Sequence, residues 1–259
     1  MMNLKAVQLV LLAAISHRSS SFSTFNKRQL HNSSRLMGWS NTWSDILTGG
    51  NPRWKVTCGE SHIKALTSFQ EYVKGDPAEV SILCPLAGDD PFVYLLFTKG
   101  YSVTTIDLVP AAVEEMKKQF GISEEWTKEE TDNTIMWKHD SGRATLMVGD
   151  ALQKRPDLVN QFDAVYDKDS FGALPMELRQ GFCSRIAEYV KKGGIVYLEC
   201  KLKENHEKVK YAGPPFSLQQ EELMEGNSYG NTFDYVKGLG EIYKIQMSAQ
   251  QTGHILKRK

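Results

Sequence analysis

The sequence predicts an α/β fold, a doubly wound and mostly parallel sheet, and three observations carry that expectation. Short apolar runs bounded by turn residues recur at 80–84, 101–106, 144–148, 162–166 and 195–200. Helical segments separate several of these runs, as in a chain of βαβ units. The acids Asp107, Asp150 and Asp167 stand where three of the runs end, and ligands of such sheets bind beyond the carboxyl ends of the strands.

The first unit is the most informative. Val80–Cys84 reads as a buried strand, Pro85 and Gly88 stop it, and Val93–Phe97 is apolar at near-helical spacing. Gly100 closes that helix as a C-cap residue, and Tyr101–Ile106 is rich in β-formers. Asp107 follows about twenty residues after the turn, the spacing of a carboxylate that accepts hydrogen bonds from a ribose diol. The turn is not G-x-G-x-x-G, which disfavours a dinucleotide. An ordinary crossover with a solvated Asp107 is the plainer alternative.

The chain has 259 residues, 41% of them hydrophobic, and zero formal net charge. That suits one large α/β domain. It argues against a nucleic-acid surface or an anchor to acidic lipid. The four cysteines form no C-x-x-C pair and no zinc spacing, so no metal is expected.

Residues 1–36 contain no Asp or Glu. Ala6–Ile15 is too short to span a membrane, and Arg, Lys and Ser follow it. This is the composition of a cleavable leader, expected to be mitochondrial. A secretory signal or a disordered leader over a cytoplasmic protein is the alternative. The domain is expected over 37–259.

Trp39 and Trp43 are four residues apart and share a helix face, either as core anchors or as a helical lid over the ligand edge. Gly49–Pro52 is a turn, followed by Trp54. An amphipathic helix is expected over Ser61–Tyr72, with Ile63, Leu66, Phe69 and Tyr72 along one stripe. Pro110 opens a helix to about Phe120, and Ser123–Asp140 reads as a charged surface excursion. Asp150, before Ala151, either caps the next turn or meets a purine edge. A helix follows Pro175, ended by Lys191-Lys-Gly-Gly. Phe233–Val236 and Glu241–Met247 are expected as a terminal antiparallel pair, and Ile255–Lys259 as a solvated basic end.

Four segments together resemble one family. Cys84-Pro-Leu-Ala-Gly is similar to its P-L-C-G turn, and Tyr166-Asp-Lys-Asp-Ser-Phe-Gly-Ala-Leu to its [WY]-D-R-x-A-L-x-A-[IL] segment. Gly213-Pro-Pro-Phe is similar to its G-P-P-F loop, and Trp39-x-x-x-Trp43 with Gly50-x-x-x-Trp54 to its entry segment. The family is the thiopurine S-methyltransferases, of the Rossmann-like class I S-adenosylmethionine (SAM) methyltransferases.

The resemblance implies an enzyme moving a methyl group from SAM to a small thiol or related chalcogen acceptor, and a monomer is expected because nothing in the pattern suggests an unpaired apolar face. It implies that Leu86 and Gly88 offer backbone contacts to SAM, that Asp107 holds the ribose, and that Asp150 and Ala151 flank the adenine. Trp39 and Trp43 would close over the cofactor, and Trp54 would face the acceptor. Lys168 would stand beside the cofactor and activate the thiol as its thiolate.

Three departures stand out, one of them a longer gap, Ser44–Gly49, after Trp43. An acid, Asp89, stands where the family turn has a cation. Lys168 replaces an Arg and loses its planar fork. A halide or sulfide methyltransferase, or a SAM-binding protein that has lost transfer, is the alternative function.

Overall fold

A computed structural model describes residues 41–50, 59–121, 125–131, 134–246 and 248–259. The expected leader over 1–36, Trp39 and Trp54 lie outside these residues. The chain divides into two compact units, Met1–Pro52 and Arg53–Lys259. In the first unit, a helix over 41–47 carries Trp43. Its end is closed by Gly49 N–H donating to the Ile46 carbonyl at 3.0 Å and Gly50 N–H to Asp45 at 2.9 Å.

The second unit is built on a sheet whose strands are β1 (Ser81–Pro85), β2 (Ser102–Asp107), β3 (Trp126–Thr131), β4 (Thr134–His139), β5 (Ala144–Val148), β6 (Phe162–Lys168), β7 (Val190–Lys203), β8 (Phe233–Gln246) and β9 (Ala249–Arg258). Their spatial order is β3-β4-β5-β2-β1-β6-β7-β9-β8. The central run from β5 to β7 is parallel, and the pairs at both flanks are antiparallel. The order reverses beside β1, the kind of switch point where such sheets bind ligands.

The helices are α1 (Gly59–Tyr72), α2 (Pro91–Thr98), α3 (Pro110–Gln119), α4 (Ser170–Ala173), α5 (Met176–Tyr189), α6 (His206–Val209) and α7 (Gln220–Leu223). Strand alternation divides the core in two. Ile82, Cys84, Val103, Ala164 and Tyr197 face α1, α2 and α3 in one cluster. Leu83, Ile106, Val165, Val196 and Leu198 face α5 in the other. Phe69 of α1 is fully buried, edge-on to Phe92, Tyr101 and Tyr197. Truncating such a side chain to Ala costs about 3–5 kcal/mol.

Five expectations are corrected. α1 buries Ser61, Ala65 and Phe69, and Ile63 is 66% exposed. Small residues let the helix approach the sheet closely, so the buried stripe is rotated away from Ile63. The excursion at 123–140 contains the β3–β4 hairpin, which extends the sheet through β4 and β5. The Lys191–Gly194 run is no C-cap. α5 ends at Tyr189 and Val190 is already extended; the run is a bulge in β7, between the pairs Phe162↔Val190 and Ala164↔Ile195. The two strands expected over 233–247 belong to one bulged strand, β8. Its partner β9 includes the basic end, where Ile255 and Leu256 are fully buried. No helix among the described residues is long and apolar enough to cross a membrane.

Candidate functional site

The glycine turn follows β1. Leu86 takes a left-handed φ of +46° and Gly88 one of +57°. Leu86 N–H donates to the Ile106 carbonyl at 2.7 Å, which ties the turn to β2. Asp107, at the end of β2, accepts from Gly88 N–H at 2.9 Å through Oδ2 and from Val109 N–H at 2.9 Å through Oδ1. Asp107 is 8% exposed. Burial pushes its carboxyl above the usual carboxylate range, and the N–H groups of Val109, Gly88 and Leu108 oppose that. A carboxylate has about four acceptor positions, so a position is left for a ribose hydroxyl. The turn, the carboxylate and the sheet edge thus suit an adenosyl cofactor.

The next strand brings the adenine candidates alongside. Asp107 and Val148 are register partners, and Gly149 N–H donates to the Asp107 carbonyl at 2.8 Å. Asp150 Oδ1 accepts from Leu152 N–H at 2.8 Å, so it does cap its turn, and Ala151 is buried. Leu86, Gly88, Asp107, Asp150 and Ala151 therefore lie along the carboxyl ends of adjacent strands β1, β2 and β5.

Lys168 ends β6 on the other side of β1. Its Nζ is 3.3 Å from Asp90 Oδ2, and each side chain is 9% exposed. Asp90 Oδ1 caps α2 by accepting from Phe92 N–H at 3.0 Å, and Oδ2 also accepts from the Tyr166 hydroxyl at 3.1 Å. One carboxylate thus joins the helix start to the β6 exit. Burial pulls the Lys168 ammonium down, but Asp90, Glu199 and Asp169 outweigh it and hold its pKa above the usual lysine value. Glu199 is its cross-strand partner on β7 and accepts from the Tyr197 hydroxyl at 2.9 Å. Burial pushes the Glu199 carboxyl up to about 7, against the pull of Lys168 and Tyr197.

The β6 exit itself is fixed from below. Asp167 is fully buried. It accepts from Ser170 N–H at 2.9 Å and from the Tyr229 hydroxyl at 3.0 Å. The Ser170 hydroxyl donates to the Pro85 carbonyl at 2.5 Å, linking this corner to the start of the glycine turn. Burial pushes the Asp167 carboxyl up to about 6 despite those hydrogen bonds.

Sequence reasoning missed Asp90, Glu199 and Asp169. Two of them had a signal. Asp90 directly precedes Pro91, the pattern of a capped helix start. Glu199 is an acid inside an otherwise apolar strand. Asp89 is 4% exposed, and its carbonyl accepts from Gln119 Nε2 at 2.6 Å.

Two other polar features lie apart from the glycine turn. A cleft of about 450 Å³ opens at the far ends of β7, β8 and β9, beside Lys203, His206 and Lys244. His206 bridges Ser217 Oγ at 2.9 Å and Glu222 Oε1 at 3.0 Å. Ser217 has no exposed surface and accepts from Lys203 N–H, so this trio braces the segment around the Gly213-Pro-Pro-Phe loop.

Comparison with known proteins agrees with this geometry. The family described as thiopurine S-methyltransferase (TPMT) matches residues 37–242. The chain is 32% identical to a thiopurine S-methyltransferase of Legionella pneumophila (strain Corby) over 149 residues, 57% of this chain and 63% of that one. It is 25% identical to that of Xanthomonas campestris pv. campestris (strain 8004) over 186 residues, 71% of this chain and 78% of that one. The match thus spans 63% of the length of the Legionella relatives.

Solved structures share the fold. A TehB-like SAM-dependent methyltransferase from Corynebacterium glutamicum superposes with a TM-score of 0.52 at 13% identity, covering 87% of this chain and 99% of that one. A SAM-dependent methyltransferase from Methanosarcina mazei gives 0.57 at 16% identity, covering 74% and 96%. The fold is that of the class I SAM methyltransferases, and the chain belongs to the thiopurine S-methyltransferase family.

Proposed function

We propose that the chain binds SAM at the β1–β2–β5 edge and transfers its methyl group to a small thiol or related chalcogen acceptor. The observation that carries the reading is the Asp107 carboxylate. It is bonded to the Gly88 turn at 2.9 Å and lies one strand from Asp150, as an adenosyl site requires. SAM would supply an electrophilic methyl on a sulfonium centre.

The chain's own residues have a simple task in this chemistry. Leu86 and Gly88 shape the backbone under the cofactor, Asp107 orients the ribose, and Asp150 with Ala151 bounds the adenine. Trp39 and Trp43 as a lid, and Trp54 as an acceptor contact, enter this reading from the family resemblance alone. Reaction needs two sulfurs in line in a site that excludes water.

Lys168 is the cation proposed to favour the acceptor's thiolate. Its pairing with Asp90 tempers that effect, because much of its field is already answered by a carboxylate. A protein that binds SAM without transferring is the second reading, favoured by the buried acid Asp89 in the turn.

The test is a methyl-transfer screen over aromatic thiols, sulfide, selenite and iodide, with Lys168→Met alongside. Transfer to a thiol or other chalcogen supports the enzyme, and transfer slowed with an altered pH profile in Lys168→Met supports its role. SAM binding with no transfer to any acceptor supports the second reading.

A further inference from the structure

Among the described residues, three histidines are fully engaged. His139 bonds Ser141 Oγ and Glu125, His206 bonds Ser217 Oγ and Glu222, and His254 bonds the Tyr235 hydroxyl and Thr252 Oγ1, each through both ring nitrogens. His62, in the first turn of α1, is the exception. The residue is partly exposed, yet its Nε2 is buried with no hydrogen-bond partner among the described residues. Buried polar atoms are nearly always paired, and an unpaired one asks for an explanation.

The surroundings of His62 belong to the Lys168 corner. Its ring meets Phe92 edge-on at 6.2 Å, and Phe92 stacks on Tyr166 at 4.4 Å. The Tyr166 hydroxyl donates to Asp90 Oδ2, the oxygen that pairs with Lys168 Nζ. Lys64 Nζ donates to the Glu241 carbonyl and so ties α1 to β8, and Tyr243 of β8 puts its ring 5.9 Å from Lys168 Nζ. The charged groups acting on His62 are Asp90 and Lys168. In the strand order β5-β2-β1-β6, Lys168 stands across β1 from Asp107 and Asp150. An adenosyl group over β2 and β5 therefore leaves this corner to the acceptor.

Burial holds the His62 pKa below the ordinary histidine value; Asp90 opposes this and Lys168 adds to the fall. The imidazole is therefore neutral at physiological pH, with a lone pair open on one nitrogen. A thiol reacts as its thiolate. An alkyl thiol, with a pKa of about 8.5, is mostly protonated at neutral pH. The Lys168 ammonium is a donor only and cannot accept that proton.

We propose that His62 is the general base of the transfer, its Nε2 taking the proton of a weakly acidic thiol. This role deepens the methyl-transfer reading and rests on it. The acceptor's S–H bond breaks and the proton passes to Nε2. The sulfur's electron pair forms the new S–CH3 bond, and the pair of the broken CH3–sulfonium bond stays on the leaving thioether. One positive charge disappears at the sulfonium and one appears on the imidazole, within reach of the Asp90 carboxylate. Lys168 favours the thiolate, and His62 removes the proton. The acceptor class therefore includes alkyl thiols as well as aromatic thiols that ionise without help.

The test compares the unaltered chain with His62→Gln, which stays polar and cannot take up a proton. Two acceptors are used: benzyl mercaptan, protonated at neutral pH, and 4-nitrothiophenol, already ionised there. The ratio of kcat/KM for benzyl mercaptan to that for 4-nitrothiophenol is expected to fall about hundredfold or more in the variant. Its affinity for S-adenosylhomocysteine reports that the fold is kept. In the unaltered chain the benzyl mercaptan rate is expected to rise with pH through a value below the ordinary histidine pKa. A ratio that does not move overturns the proposal, because a packing role would slow both thiols alike. So does an unaltered chain without that limb, a result that needs no variant.

A second readout needs no turnover. Benzyl mercaptan is titrated into the full chain saturated with S-adenosylhomocysteine, by calorimetry in buffers of different ionisation enthalpy, which counts protons. The unaltered chain is expected to keep the thiol's proton and His62→Gln to release it. Equal proton counts, or no thiol binding, overturn the proposal. A chain that methylates neither thiol but differs from its variant in proton count loses the transfer reading and keeps His62 as the proton acceptor.

Discussion

Glu199→Gln tests the electrostatics of the β6–β7 exit through stability, without any ligand. Glu199 is 1% exposed, and burial pushes its carboxyl from 4.5 to about 7, with Lys168 and Tyr197 opposing. A carboxyl with a raised native pKa keeps its proton longer in the native chain than in the unfolded one. Between pH 4.5 and about 7 the native state therefore binds more protons, and stability falls as pH rises through that window. At about 1.36 kcal/mol for each pKa unit, the displacement is worth about 3 kcal/mol, lost in full above about pH 7. Gln keeps an acceptor for the Tyr197 hydroxyl and cannot ionise. The advantage of Glu199→Gln over the unaltered chain should therefore grow by about 3 kcal/mol from about pH 4.5 to about pH 8. Asp167, pushed up to about 6, is common to both proteins and cancels in the difference. Urea unfolding followed by circular dichroism across this range measures it. A difference that stays constant with pH would refute the account of Glu199 as a buried, proton-holding carboxyl.

The other predictions concern Asp90, Lys168 and Gly88. Asp90→Ala removes the α2 cap and leaves the buried Lys168 ammonium without its nearest partner. It should cost about 3–5 kcal/mol in urea unfolding, with Asp90→Ser regaining about 1 kcal/mol of cap. In Lys168→Met, methyl transfer to an aromatic thiol should fall about tenfold or more and its acid limb should move to higher pH, as a thiolate loses a cation; an unchanged pH–rate profile removes Lys168 from that role. Gly88→Val places a β-branched residue at φ +57°, which should cost about 1–2 kcal/mol by thermal unfolding and weaken S-adenosylhomocysteine binding by calorimetry.

The parallel centre of the fold was legible because β1, β2, β5 and β6 are mostly buried and read as short runs of apolar residues and β-formers. The flanks were not. β3 buries only Trp126 and exposes the rest, so its alternation carries no hydrophobic signal and the hairpin looks like surface. β8 shifts register four times along β9, and Gly238 and Gly240 interrupt its pattern, so one strand read as two. The basic end was misjudged because Ile255 and Leu256 are held between β7 and β8, a burial that depends on distant strands.

The site divides in the same way. Leu86, Gly88, Asp107 and Asp150 follow strand ends in chain order and could be found by spacing. Asp90, Asp169 and Glu199 come from the α2, β6 and β7 vicinities, which only the fold brings together. Asp169 has no local pattern that marks it.

The most direct test of the central claim is calorimetry of the full chain with S-adenosylmethionine, repeated on Asp107→Ala. The account predicts binding at one site per chain, weakened about tenfold or more when the carboxylate that holds the Gly88 turn and the ribose is removed. No binding by the unaltered chain, or equal affinity in Asp107→Ala, would contradict it.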